Sequence, residues 1–245
     1  MSGHSKWANI KRRKAVVDAK KGAAYTKLGR EVIAAAREGG GNPDNNFRLR
    51  LAVDKAKAAN MPSENIQRAI MKGTGDLNEG AVYEEIVYEG YGPGGVAVLI
   101  QLMTDNRNRT AQEMRYIFSR HGGNLGETGC VAWMFKKKGS ILLGREDNAI
   151  SEEELMLLVL DAGAEDLRTE PDSFEVITAP GDFPAVLEAV RKANLSVAEA
   201  EVAMVPQNTI ELSGGQAEKC LGLIEALDEH EDVQNVYTNY NVAGE

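Results

Sequence analysis

The sequence predicts an α+β protein: a small helical N-terminal domain, then two α/β sandwich domains, one inserted in the other. Three observations carry this. Apolar residues recur with helical spacing from Leu28 to Gly75. β-rich runs begin at Val82. Residues 140–206 alternate short strands with two helices, and each flank carries an incomplete piece of the same texture.

Residues 1–27 hold few large apolar groups and no helical stripe, so they read as a basic arm that orders on meeting a partner. From Leu28, the residues Val32, Ala35 and Ala36 share a face, and Gly39-Gly40-Gly41 stops that helix. Asn42-Pro43 reads as a helix start, with Phe47, Leu51 and Ala52 inward, and the helix ends before Met61-Pro62. Ile66, Ala69 and Ile70 mark a third helix, closed by Gly73-Thr74-Gly75. The core of 28–78 is thin, so this three-helix domain is expected to pack on something else.

Val82–Tyr88 and Val96–Met103 read as strands joined by a hairpin over Glu89–Gly95. A helix over Thr110–His121 and a strand over Cys130–Phe135 follow. Next come a strand at Ile141–Leu143, a helix opened by the capping box Ser151-x-x-Glu154, strands at 165–169 and 174–178, a helix at 182–193 and a strand at 196–205. That order, βαββαβ, is the ferredoxin-like unit. Thr209–Leu212, Gly215–Leu227 and Val233–Thr238 supply a further strand, helix and strand. The expected domains are therefore an arm at 1–27, three helices at 28–78, a discontinuous ferredoxin-like domain at 79–138 plus 207–245, and an inserted one at 139–206.

Charge is distributed along this order. Residues 1–27 carry eight Lys or Arg and one Asp, a net of +7, on a chain whose formal charge is -9. Residues 1–78 are net +9, 79–140 neutral and 141–245 net -18. Such a gradient orients a molecule in the field of a polyanion, basic end first, and nucleic acid is the commonest such partner. The candidate phosphate contacts are Lys6, Lys11, Arg12, Arg13, Lys14, Lys20, Lys21 and Lys27. Trp7 and Tyr25 interleave with them; rings of this kind stack on unpaired bases, and the other reading of Trp7 is that it docks the arm on the protein's own core.

Other chemistries lack support. Gly90-x-Gly92-x-x-Gly95 matches a dinucleotide fingerprint literally, but Pro93 interrupts it and a β run follows, so it reads as a hairpin tip. His4, His121 and His230 fall in no metal-ligand spacing. Cys130 and Cys220 read as small core residues rather than nucleophiles or a disulfide pair. The carboxylate runs Glu152–Glu154 and Asp228–Asp232 read as solvated faces. No catalytic residue, cofactor, metal or small-molecule substrate is therefore expected. The apolar runs are too short to span a bilayer and no signal peptide is legible, so the expected compartment is the cytoplasm. The acidic C-terminal half limits nonspecific coating or meets a protein partner.

Thr104-Asp105-Asn106-Arg107-Asn108-Arg109-Thr110 has two readings. It is a helix cap, with Asn106 or Asn108 capping and Asp105 near the positive end of the dipole. Two arginines there are disfavoured by that dipole, so Arg107 and Arg109 are also candidate phosphate contacts.

Gly3-His4-Ser5-Lys6-Trp7-x-x-Ile10-Lys11, with Lys14, Asp18 and Lys21, resembles the N-terminal signature of the YebC family. The resemblance continues through Gly41–Pro43, Asn60–Pro62, Asn65-Ile66, Arg68–Ile70, Lys72-Gly73, Tyr88–Gly95 and Thr104–Thr110. It implies a helical domain and two ferredoxin-like domains. It also implies a non-enzymatic role in gene expression, as a DNA-binding transcriptional regulator or as a ribosome- or RNA-associated translation factor. The latter reading is similar to the mitochondrial translational activator of cytochrome oxidase subunit one. DNA, ribosomal RNA and transfer RNA are the implied nucleic-acid partners.

Overall fold

The computed structural model describes residues 21–77 and 83–242. Most of the expected arm, including Lys6, Trp7, Lys11, Arg12, Arg13, Lys14 and Lys20, lies outside them.

Three helices come first: α1 (Lys21–Gly39), α2 (Phe47–Ala58) and α3 (Ser63–Thr74). The boundary expected at 27/28 thus falls inside α1. Val32, Ala35 and Ala36 of α1 meet Leu49, Ala52, Val53 and Ala56 of α2 and Ile66, Ala69 and Ile70 of α3. The buried set on α2 starts from Leu49 and repeats at i+3, i+4 and i+7; Phe47 and Leu51, expected inward, are half-buried. The core is built on alanine, which brings helix backbones close. At Gly73 an added Cβ would lie 2.5 Å from the Ile33 carbonyl oxygen. Asn46 locks the α1–α2 turn: it accepts from the Leu49 N–H (3.0 Å) and donates to the carbonyls of Ala35 (2.7 Å) and Gly40 (2.9 Å).

A four-stranded sheet follows, ordered β3-β1-β2-β9. It comprises β1 (Glu84–Tyr91), β2 (Ala97–Thr104), β3 (Asn124–Leu125) and β9 (Val233–Thr238), with α4 (Arg107–Arg120) between β2 and β3 and α7 (Gly214–Glu229) before β9. β1 and β2 pair antiparallel from Glu84↔Thr104 to Tyr91↔Ala97. The turn between them runs through Gly94 and Gly95, both at positive φ, and leads into a strand rather than a helix. That geometry makes the glycine-rich match a hairpin tip.

The second four-stranded sheet has the order β5-β6-β4-β7. Its elements run β4 (Phe135–Gly144), α5 (Glu152–Asp161), β5 (Ala164–Thr169), β6 (Ser173–Thr178), α6 (Phe183–Lys192) and β7 (Glu199–Pro206). This is the βαββαβ order, and β4 with β6, β4 with β7 and β5 with β6 all pair antiparallel, the ferredoxin-like arrangement. The Ser151–Glu154 capping box forms as its residues require. The first sheet has the same layout: β2 and β3 flank β1 as β4 and β5 flank β6.

Two expectations are corrected here. Residues 130–134 are not a strand: Ala132–Met134 form a 3-10 turn with Trp133 66% exposed. β4 begins at Phe135 and pairs with β7 from Phe135↔Pro206 to Leu142↔Glu199, so the expected boundary at 138/139 falls within it. The lysines at 136–138 hid that half of the strand; Lys136 and Lys137 are exposed ahead of a fully buried second half. β8 (Ile210–Leu212) and β10 (Tyr240–Val242) pair parallel with each other. Two compact units result: Val131–Gly214 with residues 237–242, and residues 21–130, as far as described, with Gly215–Val236. No helix among the described residues is long and apolar enough to cross a membrane.

Candidate nucleic-acid interface

Three of the candidate contacts have side chains among the described residues: Lys27, Arg107 and Arg109. Lys21 opens α1. Tyr25, the second aromatic of the arm, packs against the three-helix core, and its hydroxyl donates to the Asn60 carbonyl (2.8 Å). Its ring belongs to the fold.

Lys27 donates to the carbonyl oxygen of Asp228, near the C-terminus of α7, where backbone carbonyls lack helical partners. One turn on, Arg30 is buried. Its Nη1 donates to the Glu231 carbonyl (2.6 Å) and to Asp232 Oδ1 (2.8 Å), and its guanidinium lies 5.1 Å from the centroid of the Tyr83 ring. The thin helical core therefore does pack on something else: α1 is tied to the segment joining α7 to β9.

Asp232 sits at the centre of this joint with its side chain fully buried. The expectation of a solvated charge run fails for it. Arg109 Nη2 donates to Oδ2 at 3.0 Å, and Thr110 Oγ1 lies 2.8 Å from the same oxygen. Thr104 Oγ1 is 2.8 Å from Thr110 Oγ1 and accepts from the Asn106 N–H at 3.0 Å. A hydroxyl relay thus runs from Thr104 through Thr110 into the carboxylate. The Asp232 carbonyl accepts from the Met103 N–H (2.8 Å). Burial pushes the Asp232 carboxyl up, but bonds from Thr110 and Arg109 and the charges of Arg30 and Arg109 outweigh it, holding its pKa below the usual value. The bond to Asp232 in turn raises Arg109 above the usual guanidinium range, against the cost of burial.

The same contacts answer the question raised by two arginines at a helix N-terminus. Asn106 is the cap, accepting from the Arg109 N–H (3.1 Å). Arg109 is compensated by Asp232, by Asp105 (3.2 Å) and by Glu113 (3.9 Å). Arg107, on the exposed side, has Glu84 at 3.7 Å. Of the two, Arg107 presents the freer guanidinium and Arg109 is committed to the joint.

Glu113, His230 and Asp232 also converge, with donor atoms within 4.8 Å of one another, a grouping their sequence spacing does not show. The donors are in use. His230 Nδ1 accepts from the Asp232 N–H (3.1 Å), which leaves the ring hydrogen on Nε2, 2.9 Å from Glu113 Oε2. Two guanidinium groups hold Asp232, and both would repel a cation.

Two family models cover most of the chain. The TACO1/YebC protein N-terminal domain matches residues 5–76, and the TACO1/YebC second and third domain matches residues 83–240. The chain belongs to the TACO1/YebC family. A probable transcriptional regulatory protein of Pelotomaculum thermopropionicum is 59% identical over 99% of both chains. One of Desulfitobacterium hafniense is 60% identical over 99% of this chain and 96% of its own. A crystal structure of a conserved hypothetical protein from Aquifex aeolicus is 44% identical, covers 94% of each chain and superposes with a TM-score of 0.85. The segment Thr104–Thr110, part of the resemblance read from the sequence, is the one that builds the Asp232 joint in this TACO1/YebC chain. Sequence reasoning found that segment through its polar density. It missed Arg30 and Asp232, which look like an ordinary helix cation and one acid in a run of five charged or titratable residues.

Proposed function

We propose that this chain is a non-enzymatic, cytoplasmic regulator of gene expression that binds DNA through its basic N-terminal region. The carrying observation is the charge distribution: net +7 over residues 1–27 against net -18 over residues 141–245. Relatives that cover the whole chain and bear the name probable transcriptional regulatory protein support the regulatory reading. Lys6, Lys11, Arg12, Arg13 and Lys14 are the proposed phosphate contacts ahead of α1, with Trp7 as the stacking ring. Lys20, Lys21, Lys27, Arg107 and Arg109 complete the set; Lys27 and Arg109 spend their charge on the joint in the state described, so they rank last.

The test is binding of the full chain to DNA across a salt series. Substituting Lys6, Lys11, Arg12, Arg13 and Lys14 together by alanine keeps α1 and Tyr25 intact, as deletion through Lys27 would not. Each lost phosphate contact flattens the log–log salt slope by about one unit. Unchanged affinity and slope would sink the reading. Cosedimentation with ribosomes in the same salt series, with a nuclease-treated control, tests the translation-factor alternative; salt-resistant comigration without DNA binding would replace DNA by RNA as the target.

A further inference from the structure

We infer that the outer face of α4 is a second nucleic-acid contact, one that stacks an unpaired base on Tyr116 between two phosphate-binding arginines. This rests on the proposed nucleic-acid function and adds to it a site on the folded body and a strand type. α4 buries Thr110, Met114 and Phe118, so helical geometry turns Asn108, Gln112, Arg115, Tyr116, Ser119 and Arg120 outward. Tyr116 is 61% exposed in the middle of that face. Its hydroxyl accepts from Arg120 Nη1 at 3.0 Å, which holds the ring at one edge and leaves its face open. At 100° per residue, Arg115 and Arg120 project on opposite sides of the ring.

The two arginines differ from the paired arginines of the same body. Arg30, Arg48, Arg107 and Arg109 each have a carboxylate partner. Among the described residues, Arg115 and Arg120 have none, and the outward positions of α4 carry no acid beyond the half-buried Glu113 at its edge. A large exposed ring flanked by guanidinium groups without an acidic partner, with amide and hydroxyl side chains around it, matches what a single strand presents: phosphates, base faces and base edges. An acidic protein surface would satisfy the arginines but would leave the ring's open face without a stacking partner. Duplex DNA would engage the charges and not the ring, because its bases are already stacked.

The experiment measures full-chain binding to a mixed-sequence 20-nucleotide RNA, the same sequence as single-stranded DNA, and the corresponding DNA duplex. Variants are Tyr116→Ala, Tyr116→Phe, the double change Arg115→Ala with Arg120→Ala, and the five-residue arm variant above. All three α4 positions are exposed, so circular dichroism should report an unchanged fold. Base–aromatic stacking predicts that Tyr116→Ala weakens single-strand binding by roughly 5- to 100-fold, that Tyr116→Phe keeps most of it, and that duplex binding changes less than twofold. The double arginine change should flatten the single-strand salt slope by roughly 1.4 units. Equal losses on duplex and single strand, or no loss with Tyr116→Ala, overturn the inference. Loss with the arm variant alone leaves the proposed function standing and removes this site; loss with Tyr116→Ala alone does the reverse. No binding by the unmodified chain to any of the three overturns both.

Discussion

Arg30 Nη1 lies 2.8 Å from Asp232 Oδ1 across 202 residues of sequence, and neither side chain has appreciable contact with solvent. Asp232 also holds Arg109 and Thr110, so one carboxylate joins the first helix, the start of α4 and the strand that closes the sheet. A buried carboxylate facing two guanidinium groups is stable only while all three are present.

Replacing Asp232 by alanine should therefore be costly. It would leave the buried Arg30 guanidinium without its counter-charge, a loss on the order of 3 kcal/mol, or a drop in thermal midpoint of roughly 6–12 °C. Thermal unfolding followed by circular dichroism measures it, and a change under 2 °C would refute the central role. The pH dependence has a definite sign. Because the folded pKa lies below the ordinary value of 3.8, Asp232 contributes its stability above that value and loses it as pH falls through the folded pKa. The wild-type chain should lose stability below about pH 4 more steeply than the alanine variant.

Asn46 is the corresponding joint inside the helical bundle. Its side chain satisfies one orphan N–H of α2 and two carbonyls at the end of α1. Asn46→Ala should cost about 2 kcal/mol, while Asn46→Asp, which keeps only the acceptor, should cost nearly as much. Urea unfolding of both variants separates the cap from the two donated bonds.

At Gly73, α3 lies close against α1. An added Cβ would meet the Ile33 carbonyl oxygen at 2.5 Å and the Ala36 Cβ at 2.6 Å. The gain in helix propensity from alanine, about 1 kcal/mol, should be outweighed by overpacking of roughly 1–3 kcal/mol. Gly73→Ala should thus lower the melting temperature where an exposed helical glycine would raise it.

The two cysteines should differ in reactivity. Burial pushes the Cys220 thiol up to about 11, and burial with the nearby Glu89 charge pushes Cys130 up less. In a timed alkylation at pH 8, Cys130 should label first, and Cys220 only in denaturant. Folding keeps Cys220 protonated, so its contribution to stability is complete below pH 9.0 and is lost as pH rises toward about 11.

What was legible in the sequence is what local physics decides. The Ser151–Glu154 box, the Gly94–Gly95 turn and the βαββαβ order depend on residues a few positions apart, and each forms as read. The readings that failed were also local in origin. The 136–138 lysines masked half of β4, and Asp232 looked like surface because four charged or titratable residues precede it in sequence.

By itself the sequence determined the helical and ferredoxin-like architecture, the charge gradient and the family signature, because periodicity, capping and composition act over a few residues or over the whole chain. The tertiary structure alone decided which charges are spent on folding. Lys27, Arg30 and Arg109 are drawn to Asp228 and Asp232 by contacts between residues more than 100 positions apart, while Arg115 and Arg120 on the same body pair with no acid. Charge along a chain is a sum, but charge available to a partner is what remains after burial and pairing have been subtracted, and that subtraction happens only in three dimensions.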